Sequence, residues 1–473
     1  MFPSRPSFPT LVASAISLAL AGCGGAQDGE VVVVVIDPDV EEQMLDAALA
    51  QGLVRFDAAG EIEQGLATSW HVSDDGRSYI FRLADINWAD GEPVTAPAVA
   101  RLLEQQLTRD SIADEFGAIE DVRAMTDKVI EIRLAAPQRN FLQLLARPEL
   151  SIARQGDGTG PFTRIDRPEV KVAAVTVGRM VETPRGDLVE ERVRVDTGRS
   201  AEQAIGAFTE GEADLVTGGT FATAPLALEA ARTFGRPRFD PVAGLFGLVP
   251  QSAEGPLASP ELRRALSAAI DRDAIISALG VRSLLPRATV LQDALDMDVR
   301  PRPPAFVAEP LEDRRAAARE ALAGAELDDT EIAIALPDGP GADILFTRLL
   351  ADWSAIGLSP ARVAEPEQAD LVLIDRVAPA ANSAWFLRQF RCARVTICDA
   401  EADRLLDEAR ATRDPARRNA LLAEAAARIE EAQLFMPIAA PVRWSLVAPG
   451  LTGFAENRFA RHFIGGLREP RRR

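Results

Sequence analysis

Apolar positions recur along this chain with two distinct periods. Val31-Val-Val-Val-Val-Ile36 is an unbroken run, stopped by Asp37-Pro38. A β-branched run of that kind predicts a strand covered on both faces, its carboxyl end opening into a loop. In Ser78–Leu83 the pattern alternates, with Tyr79, Phe81 and Leu83 on one face, and Val129–Leu134 repeats it with Ile130, Ile132 and Leu134. Both segments predict half-buried antiparallel strands. Between them, Thr95 can cap a helix with Pro97 in its first turn, and Val99, Leu103 and Leu107 follow at four-residue spacing. Ser259-Pro260 opens another helix carrying Leu262, Leu266 and Ile270; Asp271 either ends it or caps a continuation with Ile275, Ile276 and Leu279. Late in the chain, Asp399 opens a helix over 400–411. Asp414-Pro415 opens one over 415–433, striped by Leu421, Ala425, Ile429 and Ala432. Strands and helices alternate throughout, so the fold class is α/β. Pro301-Arg-Pro-Pro304 reads as a surface linker and Arg471-Arg-Arg473 as a frayed tail.

Composition narrows the function. The 473 residues allow about three folding units. With 52 Lys+Arg against 71 Asp+Glu, a net charge of −19 argues against a broad nucleic-acid surface. Lys128 and Lys171 are the only lysines, His71 and His462 the only histidines, and Cys23, Cys392 and Cys398 the only cysteines. That scarcity removes most histidine-based catalysis and most zinc, copper or nickel sites, so no metal and no cofactor is expected. Both histidines read as structural. No Gly-x-Ser-x-Gly elbow with triad partners is present. Paired carboxylates such as Glu41-Glu42 and Asp74-Asp75 fall on helix faces or in turns and read as solvated. The balance favours a binder over a catalyst.

The amino terminus sets the expected compartment. Leu11–Leu20 is a mainly apolar stretch behind Arg5, of signal-peptide length and too short to span a bilayer comfortably. Leu20-Ala21-Gly22-Cys23 resembles the bacterial lipoprotein box, which implies that residues 1–22 are a signal peptide and that Cys23 is lipidated. An ordinary signal peptide with an incidental cysteine is the alternative. Cleavage would leave 51 basic against 71 acidic residues, a net charge of −20, and residues 23–30 as a tether. No later run is long and apolar enough for a transmembrane helix. In an exported chain the pair Cys392 and Cys398 is expected as a disulfide, with two free thiols as the alternative.

Residues 53–93 carry a resemblance. Leu53–Asp57, Glu61–Trp70, Val72–Gly76, Tyr79–Leu83 and Trp88–Pro93 follow in an order that resembles the extracellular solute-binding proteins of the peptide, opine and nickel type, family 5, which serve ABC importers. Asp74-Asp75-Gly76 and Asp90-Gly91 supply the turns between the segments. Ile119–Leu134, Gly158-Thr-Gly-Pro-Phe162, Phe208–Leu215, Leu262–Ile275, Ala402–Asp407 and Asp414–Arg418 extend the likeness over nearly the whole chain, patchily after residue 285. The resemblance implies a two-lobed periplasmic-binding-protein fold, type II-like, with an extra α/β subdomain in the first lobe. The first lobe would be 31–247 plus 438–473, including the subdomain at 50–157, and the second 248–437. Gly244–Pro250 and Leu434–Ile438 would be the hinge strands.

It also implies a monomeric receptor on the periplasmic side of the envelope. The receptor would be anchored to a membrane by lipid, bind a peptide-like solute and deliver it to inner-membrane ABC permease subunits. Relatives that bind peptides hold the ligand's α-amino group with an aspartate, in a segment resembling Asp-x-x-x-Pro followed by an aromatic. Here Leu371-Val-Leu-Ile-Asp375 ends a buried strand and Pro379 follows, but Arg376 stands where many relatives place an aromatic. Asp375 therefore either meets an ammonium ligand or pairs with an arginine. Trp385 and Phe386 either line the pocket or pack a lobe, and so does Phe246 on the hinge. Arg388 or Arg391 could meet a ligand carboxylate. An exported lipoprotein enzyme, or an envelope interaction protein, reusing the fold is the competing expectation.

Overall fold

The computed structural model describes residues 30–468 except 110–115, 117, 155–156, 166–173, 184, 298–300 and 326–329. The expected signal segment 1–22, Cys23, the expected tether up to residue 29 and the terminal arginines lie outside the described residues.

Three sheets organise the chain. The seven-stranded sheet is built around Glu30–Val35, which runs parallel to both Leu188–Asp196 and Leu215–Thr220. Val31, Val33 and Val35 pack into one core cluster, and Val32 and Val34 into another. Both faces are therefore covered, as the uninterrupted β-branched run requires. Beyond the strand, the Asp37 carboxylate accepts the Asp39 amide at 2.9 Å and caps the helix Pro38–Leu49.

Ser78–Leu83 is an inner strand of a four-stranded antiparallel sheet, between Ala67–Val72 and Val129–Leu134. Tyr79, Phe81, Leu83, Ile130, Ile132 and Leu134 are buried beneath the helix Ala96–Leu107, which contributes Val99 and Leu103. The alternation read from the sequence is the pleat of this sheet. This subdomain core also takes in Ala380 and Phe459 from far along the chain, so it is seated on the rest of the molecule.

The five-stranded sheet has Gly244–Pro250 between Leu371–Val377 and Met436–Ala439. Two short connections join it to the seven-stranded sheet: residues 240–243 from Arg238–Phe239, and 440–442 to Arg443–Val447. They run side by side. A Cβ on Gly244 would lie 2.0 Å from the Arg376 carbonyl and 2.8 Å from Pro441, so only glycine fits this crossing. One continuous core runs through the crossing and holds Val34, Val216 and Trp444 together with Phe246, Leu248 and Ile334.

The helices of this second half follow their caps. Ser259 accepts the Leu262 amide at 3.1 Å, and Asp271 accepts the Ala274 amide at 3.0 Å. Asp271 thus caps a continuation, Arg272–Leu279. Asp399 and Asp414 cap Ala400–Ala411 and Pro415–Glu431, whose apolar stripes meet in a separate core with Trp385 and Phe386. Pro301–Pro304 is irregular and leads into a short 3-10 turn, Ala305–Ala308.

Candidate functional site

A cavity of about 410 Å³ lies where the two larger sheets face each other across the crossing. Strand ends position its walls. From the seven-stranded sheet come Asp37, Gly218, Arg443 and Trp444; from the five-stranded sheet come Asp375 and Arg376. Gly218 has φ +80°, and a Cβ there would sit 2.9 Å from the Asp37 amide, so glycine lets the capping loop approach its neighbour strand. Trp385, on the helix Ser383–Arg388, and the segment Phe459–His462 complete the enclosure.

Asp375 lines the cavity, but its charge is already engaged. Arg443 Nη1 donates to Asp375 Oδ1 at 2.8 Å and Nη2 to the Asp375 carbonyl at 3.1 Å. Both side chains are 15% exposed. The pair ties one sheet to the other across the crossing. Burial pushes the Asp375 carboxyl above its ordinary value; Arg443 draws it back in part, and nearby Asp37 pushes it up again. Asp375 is therefore a desolvated carboxylate with one guanidinium and a second carboxylate close by.

Trp385 also lines the cavity. Its ring meets Phe386 edge to face at 5.1 Å, and its carbonyl accepts from Gln389, whose side-chain oxygen in turn accepts from Arg376. The helix that carries it is held by Asn382, which accepts the Trp385 amide at 3.3 Å. Asp296 holds it too, accepting from both the Ser383 amide and hydroxyl at 2.7 Å and from Arg418 at 2.8 Å.

Phe246 is placed elsewhere. It is 1% exposed and packs edge to face on Phe221 at 4.7 Å, within the core that spans the crossing and not on the cavity wall. Its pairing with Asp375 puts both side chains on one face, but the strand is buried along its whole length and the ring is taken up by the core against Phe221. Phe386 is fully buried beneath Trp385. Arg391 pairs with Asp407, and Arg388 faces a different hollow beside Asn382 and Arg418. Asp375 and Trp385 are thus brought together, and Phe246, Arg388 and Arg391 are not.

Other lining groups escaped the sequence reading. Arg443 and Trp444 belong to an unremarkable apolar strand, and nothing local marks them. Asp37 was visible as the stop of the first strand, which is the signal that could have placed it here. His462 is buried; its Nε2 lies 3.1 Å from Asp240 Oδ2 and its ring stacks on Phe454. Arg461 pairs with Glu149, which Arg147 also contacts. Burial alone would raise the Glu149 carboxyl, but the two guanidiniums outweigh it and hold it at about 2. Cys392 and Cys398 Sγ lie at disulfide distance, 2.07 Å, and the loop between them presents Arg394 to the cavity. Among the described residues, no group of three or more His, Cys, Asp or Glu side chains is disposed to hold a metal, and no helix is long and apolar enough to cross a membrane.

Comparison with known proteins identifies the scaffold. Residues 61–371 match the family model described as bacterial extracellular solute-binding proteins, family 5 Middle. The oligopeptide-binding protein OppA of Bacillus subtilis is 31% identical over 115 residues, 20% of this chain and 21% of that protein. The nickel-binding periplasmic protein of Escherichia coli is 34% identical over 100 residues, 20% of this chain and 19% of its own length. The matched stretch thus spans about a fifth of each of these curated relatives. The fold is shared far more widely: the murein tripeptide-binding protein MppA of Escherichia coli superposes with a TM-score of 0.79 at 19% identity, covering 95% of this chain and 100% of MppA.

Proposed function

The chain belongs to the bacterial extracellular solute-binding proteins of family 5, and from that premise we propose that it is the solute-binding receptor of an ABC importer. It captures a small, peptide-like solute between two lobes and hands it to inner-membrane permease subunits. The observation that carries this reading is the cavity at the crossing, walled by Asp37, Arg443 and Trp444 from one sheet and by Asp375 and Arg376 from the other. A solute touching both sheets stabilises the closed arrangement over an open one, and the paired connections at 240–243 and 440–442 are where such a hinge would bend. The lobes would be 31–247 plus 438–473, with the subdomain 50–157, and 248–437.

Asp375 and Trp385 are the ligand-binding residues we assign. A solute ammonium meets Asp375 only by sharing it with Arg443, and the nearby Asp37 carboxylate leaves the cluster one negative charge to spare. A solute carboxylate has Arg376 within the same wall, whose side-chain partner is the neutral Gln389. Trp385 supplies the apolar surface. The remaining parts of the proposal are a signal peptide over 1–22, a lipid anchor on Cys23, a Cys392–Cys398 disulfide, a monomeric state on the periplasmic side of the envelope, and no catalysis.

Two of the five tryptophans, Trp385 and Trp444, line the cavity, so intrinsic fluorescence should report its occupation. The test is mass spectrometry of the small molecule that co-purifies with native protein, followed by fluorescence titration of the stripped protein with that molecule. A saturable change lost in Asp375→Asn and Trp385→Ala supports the assignment. Saturable binding untouched by either substitution refutes the site, and turnover of the bound molecule refutes the receptor.

A further inference from the structure

The second half of the molecule holds a larger cavity, about 650 Å³, that shares no lining residue with the one at the crossing. It lies among the helices Pro260–Ala269, Leu311–Gly324 and Pro415–Glu431. The helix faces turned to it are built largely of alanine, including Ala265, Ala268, Ala317 and Ala321, with Phe306 and Phe435 as aromatic walls. Small side chains facing one another leave the volume open, and that size with mostly apolar walls suits an organic molecule of modest size.

Among the described residues, Glu430 in this wall has no ion pair and accepts one long hydrogen bond, 3.3 Å, from the Val290 amide. Burial pushes its carboxyl up to about 7, and the Val290 amide offsets little of that. The other charged lining groups are Glu261 and Arg264 on the first helix, Glu309 and Arg314 at and after the 3-10 turn, and Glu431. Arg264 donates to the Glu431 carbonyl at 3.1 Å. Burial depresses the Arg272 pKa and nearby Arg314 adds to it, whereas no guanidinium of the described residues acts on Glu430. Arg314 Nε is buried without a hydrogen-bond partner. The cavity thus has an unneutralised carboxyl at one place, an unsatisfied donor at another, and apolar walls between.

We propose that this cavity is a second ligand site, taking an apolar molecule with a protonated amine at Glu430 and an acceptor oxygen toward Arg314. The ammonium gives the half-buried carboxylate a charged partner, and the acceptor oxygen satisfies Arg314 Nε. The aryl or alkyl body replaces water along the alanine walls. Because bound amine favours ionised Glu430, binding releases a proton and strengthens as pH rises through about 7.

Isothermal titration with tyramine, its alcohol analogue tyrosol and 4-hydroxyphenylacetate tests this on the full chain between pH 5.5 and 7.5. Only tyramine should bind, about tenfold or more tightly at the upper pH. Glu430→Gln should cost about tenfold in tyramine affinity and abolish the pH dependence, while Ala317→Trp should block the cavity. Neither variant should melt below wild type, Glu430→Gln should melt higher near pH 7.5 because it lacks the carboxyl whose ionisation costs the fold stability there, and both should retain whatever solute co-purifies with the native protein. Equal affinity for tyramine and tyrosol, unchanged binding in Glu430→Gln, no binding of tyramine, or displacement of the co-purified solute by tyramine overturns the proposal.

Discussion

Arg443→Gln should loosen the joint between the two larger sheets, by an amount that depends on pH. The substitution removes two bonds to Asp375, at 2.8 and 3.1 Å, and leaves that carboxylate desolvated beside Asp37. Stripping one partner from a fully buried ion pair costs about 3–5 kcal/mol. Here each side chain keeps 15% exposure, so water reaches the survivor and about 2–3 kcal/mol is the better expectation. For a folding unit of 150–250 residues that is a fall in Tm of about 4–12 °C. The pH dependence follows from the direction of the shift. A carboxyl raised in the folded state contributes stability that is full below its unfolded pKa and is lost as pH rises through the folded value. Asp375 is already raised, and without Arg443 it rises further. The variant's deficit should therefore be largest near neutral pH and shrink toward pH 4. Thermal melts of wild type, Arg443→Gln, Asp375→Asn and the double variant across pH 4–8 would measure it. A flat deficit, or a coupling below about 0.5 kcal/mol in the cycle, would refute a pair that bears on the joint.

Three further outcomes are expected. Glu149→Gln should remove acid-sensitive stability: the carboxyl is held at about 2, so its contribution is present above its ordinary value and fades as pH falls toward 2. With 31% exposure of that side chain the loss at pH 7 should be about 1–2 kcal/mol, read from urea midpoints at pH 7 and pH 3. Reducing Cys392–Cys398, or replacing both by Ser, should cost about 2 kcal/mol by loop entropy and raise hydrogen exchange around Arg394, with little change elsewhere. Trp385→Ala should weaken solute binding by about 1–3 kcal/mol, about five- to 150-fold, while Trp385→Phe keeps most of it; equal affinities in the two would show that the ring is not a wall of the site.

How much of this was legible depended on the range of the interaction that decides each feature. The strands at 30–35, 78–83 and 129–134, and the helices opened at Ser259, Asp271, Asp399 and Asp414, are set by neighbours within a few residues. Periodicity and a cap oxygen suffice for those. Asp271 shows the limit: its side chain fits both an ending and a new cap, and the choice falls to tertiary contact. The Asp271 amide donates to Asp352 at 2.9 Å, and Arg272 is buried against the Ser267, Arg287 and Pro437 carbonyls. A helix start that depends on carbonyls up to 165 residues away cannot be resolved by local pattern.

The site divides along the same line. Asp375 could be found because it ends an apolar run, where a strand delivers a side chain to a crevice. Arg443 could not, since its meaning comes from a partner 68 residues away. Phe246 illustrates the opposite error. Being on a hinge strand made it a candidate wall, yet the strand is flanked on both sides and covered on both faces, so the aromatic ring is needed as filler at the crossing. The two residues are paired in register and so leave the same face of the sheet, where the ring packs into the core at the crossing and the carboxylate reaches the cavity. If the joint bends as proposed, it must still exclude water, and the buried ring beside the carboxylate serves that. Its packing is a single core shared by both sheets, and the Asp375–Arg443 ion pair is the contact that the proposed solute would compete for. The energy that holds Asp375 to Arg443 is therefore also the threshold a solute ammonium has to match. Stripping Arg443 should make the site easier to enter as surely as it makes the joint weaker.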